Sequence, residues 1–292
     1  MTIRWLAIVN PVAGHPRSSQ WQDSFARRLE HELHAEVAFT EYPGHAEELA
    51  RGSAHEGVAV FGGDGTVAEA VNGMDLERQR LLLLAGGTGN GLARDFGITS
   101  LDKAFHAAQR DECQRIDLIQ ITFHSSKKIR SRLAISTASI GYAAEVVVLA
   151  NRYFKRLGNW CYPVSATIQA MRQSVLQLQV AIDDQPLSDY KLTNIMINNT
   201  RHAGNFSAFR NSDTGDGKFE FLLAKSGFWG QFTHNLAVLS QTYFYQTAQE
   251  KKAGSLALVL PVPQRLMIDG ELWEDIREVR FEVLPGKLCC CV

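Results

Sequence analysis

The sequence predicts two domains: an α/β domain with a mostly parallel sheet, followed by a mostly antiparallel, strand-rich domain. In residues 1–115, short apolar runs alternate with amphipathic stretches, which is typical of parallel strands joined by right-handed helical crossovers. In residues 116–284, strand-like runs separated by turn residues dominate instead. The change of periodicity therefore sets the predicted domain boundary near residue 116.

The elements of the first domain follow one another in a regular order. Residues 3–9 are apolar and predict a strand, and residues 10–14 carry turn chemistry. Large apolar residues then recur at every fourth position, which predicts an amphipathic helix over residues 21–33. Further strands are predicted at 36–40, 58–61 and 81–84, and further helices at 45–51, 67–72 and 101–110.

The second domain is predicted to be built from strands with a few helical interruptions. Aspartate and glycine residues mark turns between the apolar runs. The predicted strands are 116–123, 132–138, 178–182, 192–198, 219–224, 256–260, 265–268 and 279–284. The predicted helices lie near 143–154, 164–176 and 228–246.

Composition and charge exclude several classes of protein. The 292-residue chain is 45% hydrophobic and 21% charged with a net charge of −1, so it lacks the basic excess of non-specific nucleic-acid binders. No apolar run approaches the ~20 residues of a membrane span, and the N-terminal run fits a first strand better than a signal peptide. The five cysteines lack zinc-ligand spacing, and their odd number suits a reducing compartment. We therefore expect a cytoplasmic protein whose last residues, 289–292, form a terminal strand or a frayed tail.

Residues 58–66 read VAVFGGDGT and contain the first functional motif. Its glycine-rich turn around one carboxylate consists of Gly62, Gly63, Asp64 and Gly65. Such a turn can bring backbone N–H groups against a phosphate. Thr66 and Glu69 match a capping box for the following helix, whose N-terminus would add a positive field. The motif predicts a nucleotide phosphate as the ligand and therefore a kinase.

A second strand ends in a similar turn. The apolar residues 81–84 are followed by Gly86, Gly87, Thr88, Gly89, Asn90 and Gly91. Because ligands of parallel sheets lie beyond the carboxyl ends of the strands, we expect both turns to contact the same anion. One glycine cluster alone is as well explained by an ordinary tight turn, so the pairing of the two carries the prediction.

Phosphate charge in this protein must be neutralised without a P-loop lysine, because the chain lacks the G-x-x-x-x-G-K-[ST] motif. Backbone amides, helix dipoles and a magnesium ion are the alternatives. Asp64 is the predicted carboxylate ligand of that ion. Thr88 and Asn90 are expected to hydrogen-bond to the phosphate or ribose.

These motifs, in their order along the chain, resemble the diacylglycerol kinase catalytic-domain family, which includes bacterial lipid kinases and the sphingosine and ceramide kinases. NAD kinases and phosphofructokinases carry similar GGDG turns, but the ordered set is more specific and covers nearly the whole length. The matching positions are 10–14, 40 with 45–46, 62–66, 87–90, 140–142, 216–217 and 268–271.

The resemblance implies a three-layer α/β nucleotide domain and a β-sandwich-like second domain, with residues 285–292 returning to the first. It implies ATP and Mg²⁺, and a lipid alcohol such as diacylglycerol or a sphingoid base as the phosphoryl acceptor, which would connect the reaction to phospholipid biosynthesis. Asp269 is implied as the general base with Glu271 beside it. Asn10 and Thr40 are nucleotide contacts that rest mainly on the resemblance.

Both late Asp-Gly pairs have a second explanation. Asp269 and Gly270 stand between two apolar runs, which is also a strong hairpin signature. Asp216 and Gly217 similarly precede a predicted strand. We hypothesise that Asp216 holds a structural magnesium ion or a water molecule, and the turn remains the alternative at both sites.

The chain departs from the family at several positions. Gly91 stands where most bacterial members have an aspartate, which removes one carboxylate from the expected metal network. Residues 202–205 and the surroundings of Phe209 also differ from the family pattern. The identity of the phosphoryl acceptor is therefore left open. The alternatives are a kinase for a soluble alcohol such as NAD, and a nucleotide-binding regulator that has lost catalysis.

Two basic clusters are candidates for contact with an anionic membrane surface. The first comprises Lys127, Lys128, Arg130 and Arg132, which also suit a solvated loop. The second comprises Arg152, Lys155 and Arg156 beside Tyr153 and Phe154. A homodimer is a further possibility, because a terminal strand can pair with a neighbouring chain.

Overall fold

The computed structural model divides the chain into two compact units. The first contains residues 1–118 and 284–292, and the second contains residues 119–283. The structure describes residues 3–14, 18–87, 90–110, 113–125, 128–154, 161–172, 175–203, 206–207, 209, 212–225 and 248–292.

The first unit contains a parallel sheet. Its first four strands are β1 (Trp5–Val9), β2 (Ala35–Phe39), β3 (Gly57–Gly62) and β4 (Arg80–Ala85). Strand β1 lies between β2 and β3, β4 continues the sheet beyond β3, and each of these pairs is parallel. Every residue of β1 and β3 is buried, as expected when both faces of a parallel sheet are covered.

Helices cover this sheet. They are α1 (Ser19–Leu33), α2 (His45–Arg51), α3 (Asp64–Gly73), α4 (Gly91–Asp95) and α5 (Leu101–Gln109). Phe25 and Leu29 of α1 join one core with Phe61 of β3, Leu84 of β4 and Phe105 of α5. Helices α2 and α3 follow β2 and β3 and pack against each other.

Helix α3 begins earlier than its sequence predicts. It starts at Asp64 with Gly63 as the N-cap, so the predicted capping box of Thr66 and Glu69 is wrong. Because Gly63 is still extended and the helical backbone follows it directly, Thr66 lies inside the first turn. Its hydroxyl accepts a hydrogen bond from Asn10 Nδ2 at 3.0 Å instead.

The last strand of the chain belongs partly to the first unit. Strand β15 (Glu271–Cys291) pairs its final residues with β4 in parallel, with Cys289 opposite Arg80. A disulfide joins Cys289 to Cys113, the first residue of β5 (Cys113–Ser125). This pairing differs from the expectation of reduced cysteines. The two cysteines are 176 residues apart, and nothing in the sequence indicates that the sheet brings them together.

The second unit is a mostly antiparallel sheet. Its remaining described strands are β6 (Ile129–Ala134), β7 (Thr137–Gly141), β8 (Leu176–Ile182), β9 (Ser188–Asn198), β12 (Phe219–Lys225), β13 (Ala248–Ala253) and β14 (Ser255–Ile268), beside a short hairpin of β10 (His202–Ala203) and β11 (Phe206–Ser207). Buried residues of β5 through β9 and of β12 through β15 form one hydrophobic cluster.

Strands β7 and β8 lie one after the other between the same two neighbouring strands, β9 and β14. Strand β7 pairs with residues 194–198 of β9, and β8 pairs with residues 188–192. Both also pair with β14. Between them the chain leaves the sheet as α6 (Tyr142–Leu149), a π-helical turn (Ala150–Phe154) and α7 (Cys161–Met171).

The predicted order of an α/β domain before a strand-rich domain is confirmed. The differences lie within elements: the strand predicted at 132–138 is divided between β6 and β7, and the strand predicted at 279–284 is the middle of β15. The helix predicted near 228–246 lies outside the described residues. Within the part of the chain that the structure describes, no helix is both long and apolar enough to cross a bilayer.

Gly73 allows the close approach of α3 to α2. A Cβ atom at this position would lie 2.1 Å from the carbonyl oxygen of Glu47 and 3.0 Å from Ala50 Cβ. We predict that Gly73→Ala lowers the free energy of unfolding in urea by about 1–3 kcal/mol, because the helices must move apart.

Gly52→Ala is the matched control at the end of α2. Its Cβ would lie 3.5 Å from its nearest neighbour, and its φ of −77° suits alanine, so the unfolding free energy should stay equal or rise. Equal stability of the two variants would contradict the close approach.

Candidate functional site

The carboxyl ends of β1 to β4 meet at one edge of the first unit's sheet, because these strands are parallel. The loops that follow them contain most of the predicted nucleotide contacts. The residues gathered at this edge are Asn10, Thr40, Gly62, Gly63, Asp64, Gly65, Thr66, Gly87 and Asn90. Thr88 lies outside the described residues.

Asn10 ties the first loop to β3 and α3. Its backbone N–H donates to the carbonyl of Phe61 at 2.8 Å, and its Nδ2 donates to Thr66 Oγ1. Its Oδ1 accepts from the N–H of Val12 at 3.1 Å. The backbone N–H of Thr40 donates a hydrogen bond to the carbonyl of Val9 at 2.9 Å. Asn10 therefore shapes the edge, and direct contact of Asn10 or Thr40 with a nucleotide stays a prediction.

Asp64 joins the two glycine-rich turns. Its Oδ2 accepts a hydrogen bond from the N–H of Gly91 at 3.1 Å, and its Oδ1 accepts one from Leu92 at 3.2 Å. Burial raises the pKa of the Asp64 carboxyl, and the hydrogen bonds from Leu92 and Gly91 only partly offset this rise. The carboxylate thus links the start of α3 to the start of α4.

The two turns also touch directly. A Cβ atom on Gly87 would lie 2.6 Å from the Cα of Gly63, so a side chain at this position would push the turns apart. The N–H of Gly87 donates to Asn90 Oδ1 at 2.7 Å, and Asn90 has a left-handed φ of 47°. Asn90 therefore closes its own turn, and its predicted contact with a nucleotide stays a prediction.

Asp269 lies in the second unit, in the tight turn between β14 and β15. Its φ of 45° is left-handed, and Ile268 pairs with Glu271 across the turn, so the hairpin explanation of this motif describes its backbone. Its carboxylate accepts three backbone hydrogen bonds, from Ile135 at 2.8 Å, Ser136 at 3.0 Å and Thr137 at 2.7 Å. Asp269 therefore fixes the loop between β6 and β7. Whether it also acts as a base stays a prediction.

Glu271 forms an ion pair with Arg132 on β6, with Oε2 3.4 Å from the guanidinium Nη2. The guanidinium groups of Arg130 and Arg132 lie over the ring of Trp273, 5.1 and 5.8 Å from its centroid. Two residues of the first basic cluster are thus engaged with the strand that follows the Asp269 turn.

Asp216 is paired with a lysine. Lys252 Nζ lies 2.6 Å from Asp216 Oδ2 and 3.0 Å from Oε1 of the fully buried Glu220. Ser212 Oγ donates to the other oxygen of Glu220 at 2.8 Å. Burial raises the pKa of Glu220, while the hydrogen bonds of Lys252 to the two carboxylates outweigh burial and raise the pKa of the lysine. This network compensates a buried charge.

The described residues do not form a preformed magnesium site. Among them, no three His, Cys, Asp or Glu side chains converge as metal ligands do. Of the two predicted ligands, Asp64 accepts hydrogen bonds from backbone amides and Asp216 pairs with Lys252. These donors therefore do not fit a magnesium ion held by the protein alone.

Sequence reasoning missed the partners of both motif aspartates. The amides that bind Asp64 lie 27 and 28 residues further along the chain, and the shared sheet edge was the one indication that the turns could be joined. The amides that bind Asp269 lie 132 to 134 residues earlier, and no pattern in the sequence connects them to it.

Comparisons with known proteins agree with these motifs. Residues 4–121 match the diacylglycerol kinase catalytic domain. A Bacillus subtilis protein provisionally named lipid kinase YtlR is 34% identical over 106 residues, which is 34% of each chain. A Streptococcus pneumoniae protein, also provisionally named a lipid kinase, is 25% identical over 198 residues, 51% of this chain and 67% of its own. The matched residues thus span only about a third of the first relative.

Solved structures share the fold over the whole chain. One from Bacillus anthracis strain Sterne, provisionally described as a diacylglycerol kinase, has a TM-score of 0.79 at 20% identity and covers 99% of this chain and 96% of that one. Another from the same strain has a TM-score of 0.76 at 19% identity with the same coverage. Such identities establish the fold alone. The match to the diacylglycerol kinase catalytic domain covers residues 4–121, which include both glycine-rich turns and the Asp64 link between them.

Proposed function

We propose that the protein is an ATP-dependent lipid kinase that transfers the γ-phosphate to the hydroxyl of a lipid alcohol such as diacylglycerol or a sphingoid base. One observation carries the proposal. Two glycine-rich turns at one sheet edge are held together by Asp64, within a region that matches a lipid kinase catalytic domain.

Phosphate binding at this edge would rely on the backbone. Helix α3 begins directly after Gly63, and the N-terminus of a helix offers N–H donors and a dipole that favours an anion. The contact between Gly63 and Gly87 keeps side chains out of the same space. Magnesium would arrive with the nucleotide phosphates, because the described residues contain no preformed site for it.

Asp269 is the proposed acceptor of the hydroxyl proton. Three amide donors fix the direction of its carboxylate, because two of them donate to Oδ1 and one donates to Oδ2. The transition state of phosphoryl transfer is loose, so the position of this group matters more than its strength as a base. Glu271 is the second proposed catalytic residue, with Arg132 balancing its charge.

A nucleotide-binding regulator without catalysis is the second candidate. The observation that favours it is that Asp64 and Asp269 already accept two and three backbone hydrogen bonds. Both aspartates would then be purely structural. This candidate predicts ATP binding without phosphoryl transfer.

The β5–β6 hairpin is the proposed contact with an anionic membrane surface, reached from the cytoplasm. Ile129 at the start of β6 is 68% exposed and stands between Lys128 and Arg130, a combination that suits a charged bilayer surface. Strand β6 leads directly into the loop that binds Asp269. Lys127 of the first cluster, and Lys155 and Arg156 of the second, lie outside the described residues. Homodimer formation stays a prediction.

The decisive experiment is a phosphoryl-transfer assay with labelled ATP, Mg²⁺ and a panel of acceptors. We expect label in at least one lipid alcohol among diacylglycerol, sphingosine and ceramide, separated by thin-layer chromatography. Label in NAD or in a sugar phosphate instead would contradict the lipid assignment. Saturable ATP binding with no labelled product from any acceptor would favour the regulator.

Asp269→Asn tests the base against a structural role. We predict that transfer falls by about 100-fold or more, as expected for loss of a general base, while ATP affinity is kept. Asp183→Asn is the matched control, because Asp183 also has a left-handed φ, 50°, and accepts backbone hydrogen bonds from Gly254 and Ser255.

The control should show a similar shift in thermal unfolding with unchanged transfer. Full activity in Asp269→Asn would remove Asp269 as the base. Equal loss of activity in both variants would indicate a structural role.

The double variant Lys128→Glu, Ile129→Ser tests the hairpin. We expect binding to phosphatidylserine-rich vesicles at low salt to weaken about tenfold or more, because each lysine near such a surface contributes about 1 kcal/mol and the charge is reversed. Lys191→Glu, an exposed lysine of β9, is the control and should bind nearly as the wild type does. Equal binding by all three proteins in a sedimentation assay would reject the hairpin.

A further inference from the structure

We propose that Cys113 and Cys289 form a reversible thiol–disulfide pair that responds to low-molecular-weight disulfides and secures the end of β15 on β4. Their Cα atoms lie 5.7 Å apart, within the usual range for a disulfide. Both belong to the first unit, which the chain leaves after residue 118 and re-enters at residue 284. The bond therefore joins the two segments through which the chain passes between units.

Exposure makes Cys113 the cysteine that a small reagent can reach. Cys113 is exposed at the start of β5, whereas Cys289 is 6% exposed. Cys290 and Cys291 are fully buried, and burial raises the pKa of the Cys290 thiol, so that thiol stays protonated. Cys161 is half-buried in the second unit. Cys113 is thus the expected point of attack in the first unit.

The chemistry is two successive exchange steps. The Cys113 thiolate attacks a small disulfide such as oxidised glutathione, which forms a mixed disulfide and releases one glutathione thiolate. The Cys289 thiolate then attacks the Cys113 sulfur, forms the protein disulfide and releases the second glutathione. The two thiol protons end on the two released glutathiones, and excess reduced glutathione reverses both steps.

Non-covalent contacts also hold the end of β15. Its last residues pair with residues 80–82 of β4, and Cys291 packs in the core with Leu82 and Leu84. The N–H of Gly286 donates to Asp117 Oδ1 at 2.7 Å, and Arg110 donates to the carbonyl of Val292 at 3.0 Å. We expect loss of the disulfide to make local opening of this segment from β4 more frequent.

Opening of this edge bears on the second glycine-rich turn, because β4 ends at Ala85 and leads directly into Gly86 and Gly87. In the cytoplasm, the compartment expected from the sequence, disulfides are mostly transient and serve catalysis or redox sensing. The pair is therefore suited to regulating how firmly the first unit holds its last strand.

The experiment equilibrates the full-length protein in a series of glutathione redox buffers. Free thiols are then alkylated, and intact mass and peptide maps are recorded. We expect a reversible transition in which Cys113 and Cys289 lose two hydrogens together. Cys161→Ser should show the same transition, and Cys113→Ser should show none.

Amide exchange of residues 289–291 is the second readout. We expect it to be about tenfold faster or more in the reduced protein and in Cys113→Ser than in the oxidised wild type, because a covalent tie that suppresses local opening is lost. Alkylation of both cysteines at every redox ratio would overturn the proposal, as would equal protection in oxidised and reduced protein.

Discussion

The sheet edge that carries both glycine-rich turns is organised by one carboxylate, which accepts hydrogen bonds from two backbone amides. Asp64 stands at the start of α3 and accepts hydrogen bonds from the first residues of α4, at 3.1 and 3.2 Å. Hydrogen bonds to a charged acceptor contribute about 1.5–3 kcal/mol each. The two turns are therefore held in register by the protein itself, which lowers the conformational freedom that any binding at this edge would cost.

Other aspartate carboxylates in the molecule also accept hydrogen bonds from backbone amides of distant segments. Asp117 accepts the N–H of Gly286, and Asp183 accepts those of Gly254 and Ser255. Aspartate suits this use because its short side chain accepts hydrogen bonds, and both Asp183 and Asp269 have left-handed backbones that it tolerates. Asp269 thus shares its geometry with an aspartate outside any motif. A general base and a purely structural aspartate thus share this hydrogen-bond geometry. Proton transfer from the hydroxyl of the phosphoryl acceptor is what separates the two roles.

The sequence predicts what depends on local order and misses what depends on contacts between distant segments. The alternation of strands and helices is visible in apolar periodicity, and the glycine turns are visible in composition, so the elements of the first unit and the shared edge of its glycine-rich turns could be anticipated. The partner of Asp216 is Lys252, 36 residues away on β13, so the sequence suggested a metal ligand or a turn there and gave no indication of the ion pair. The bond between Cys113 and Cys289 is a still more distant contact, created when β15 returns to β4.

Gly91 illustrates how a departure from a family motif can leave the local structure intact. Asp64 binds the backbone N–H of residue 91, which every residue except proline supplies, so the link does not depend on the side chain there. Gly91 is buried, and an aspartate in its place would put a second carboxylate beside Asp64, where like charges repel. With glycine, Asp64 is the carboxylate that joins the two turns, and it accepts hydrogen bonds from two amides at this junction. The missing side chain therefore removes one candidate metal ligand without breaking the link between the turns.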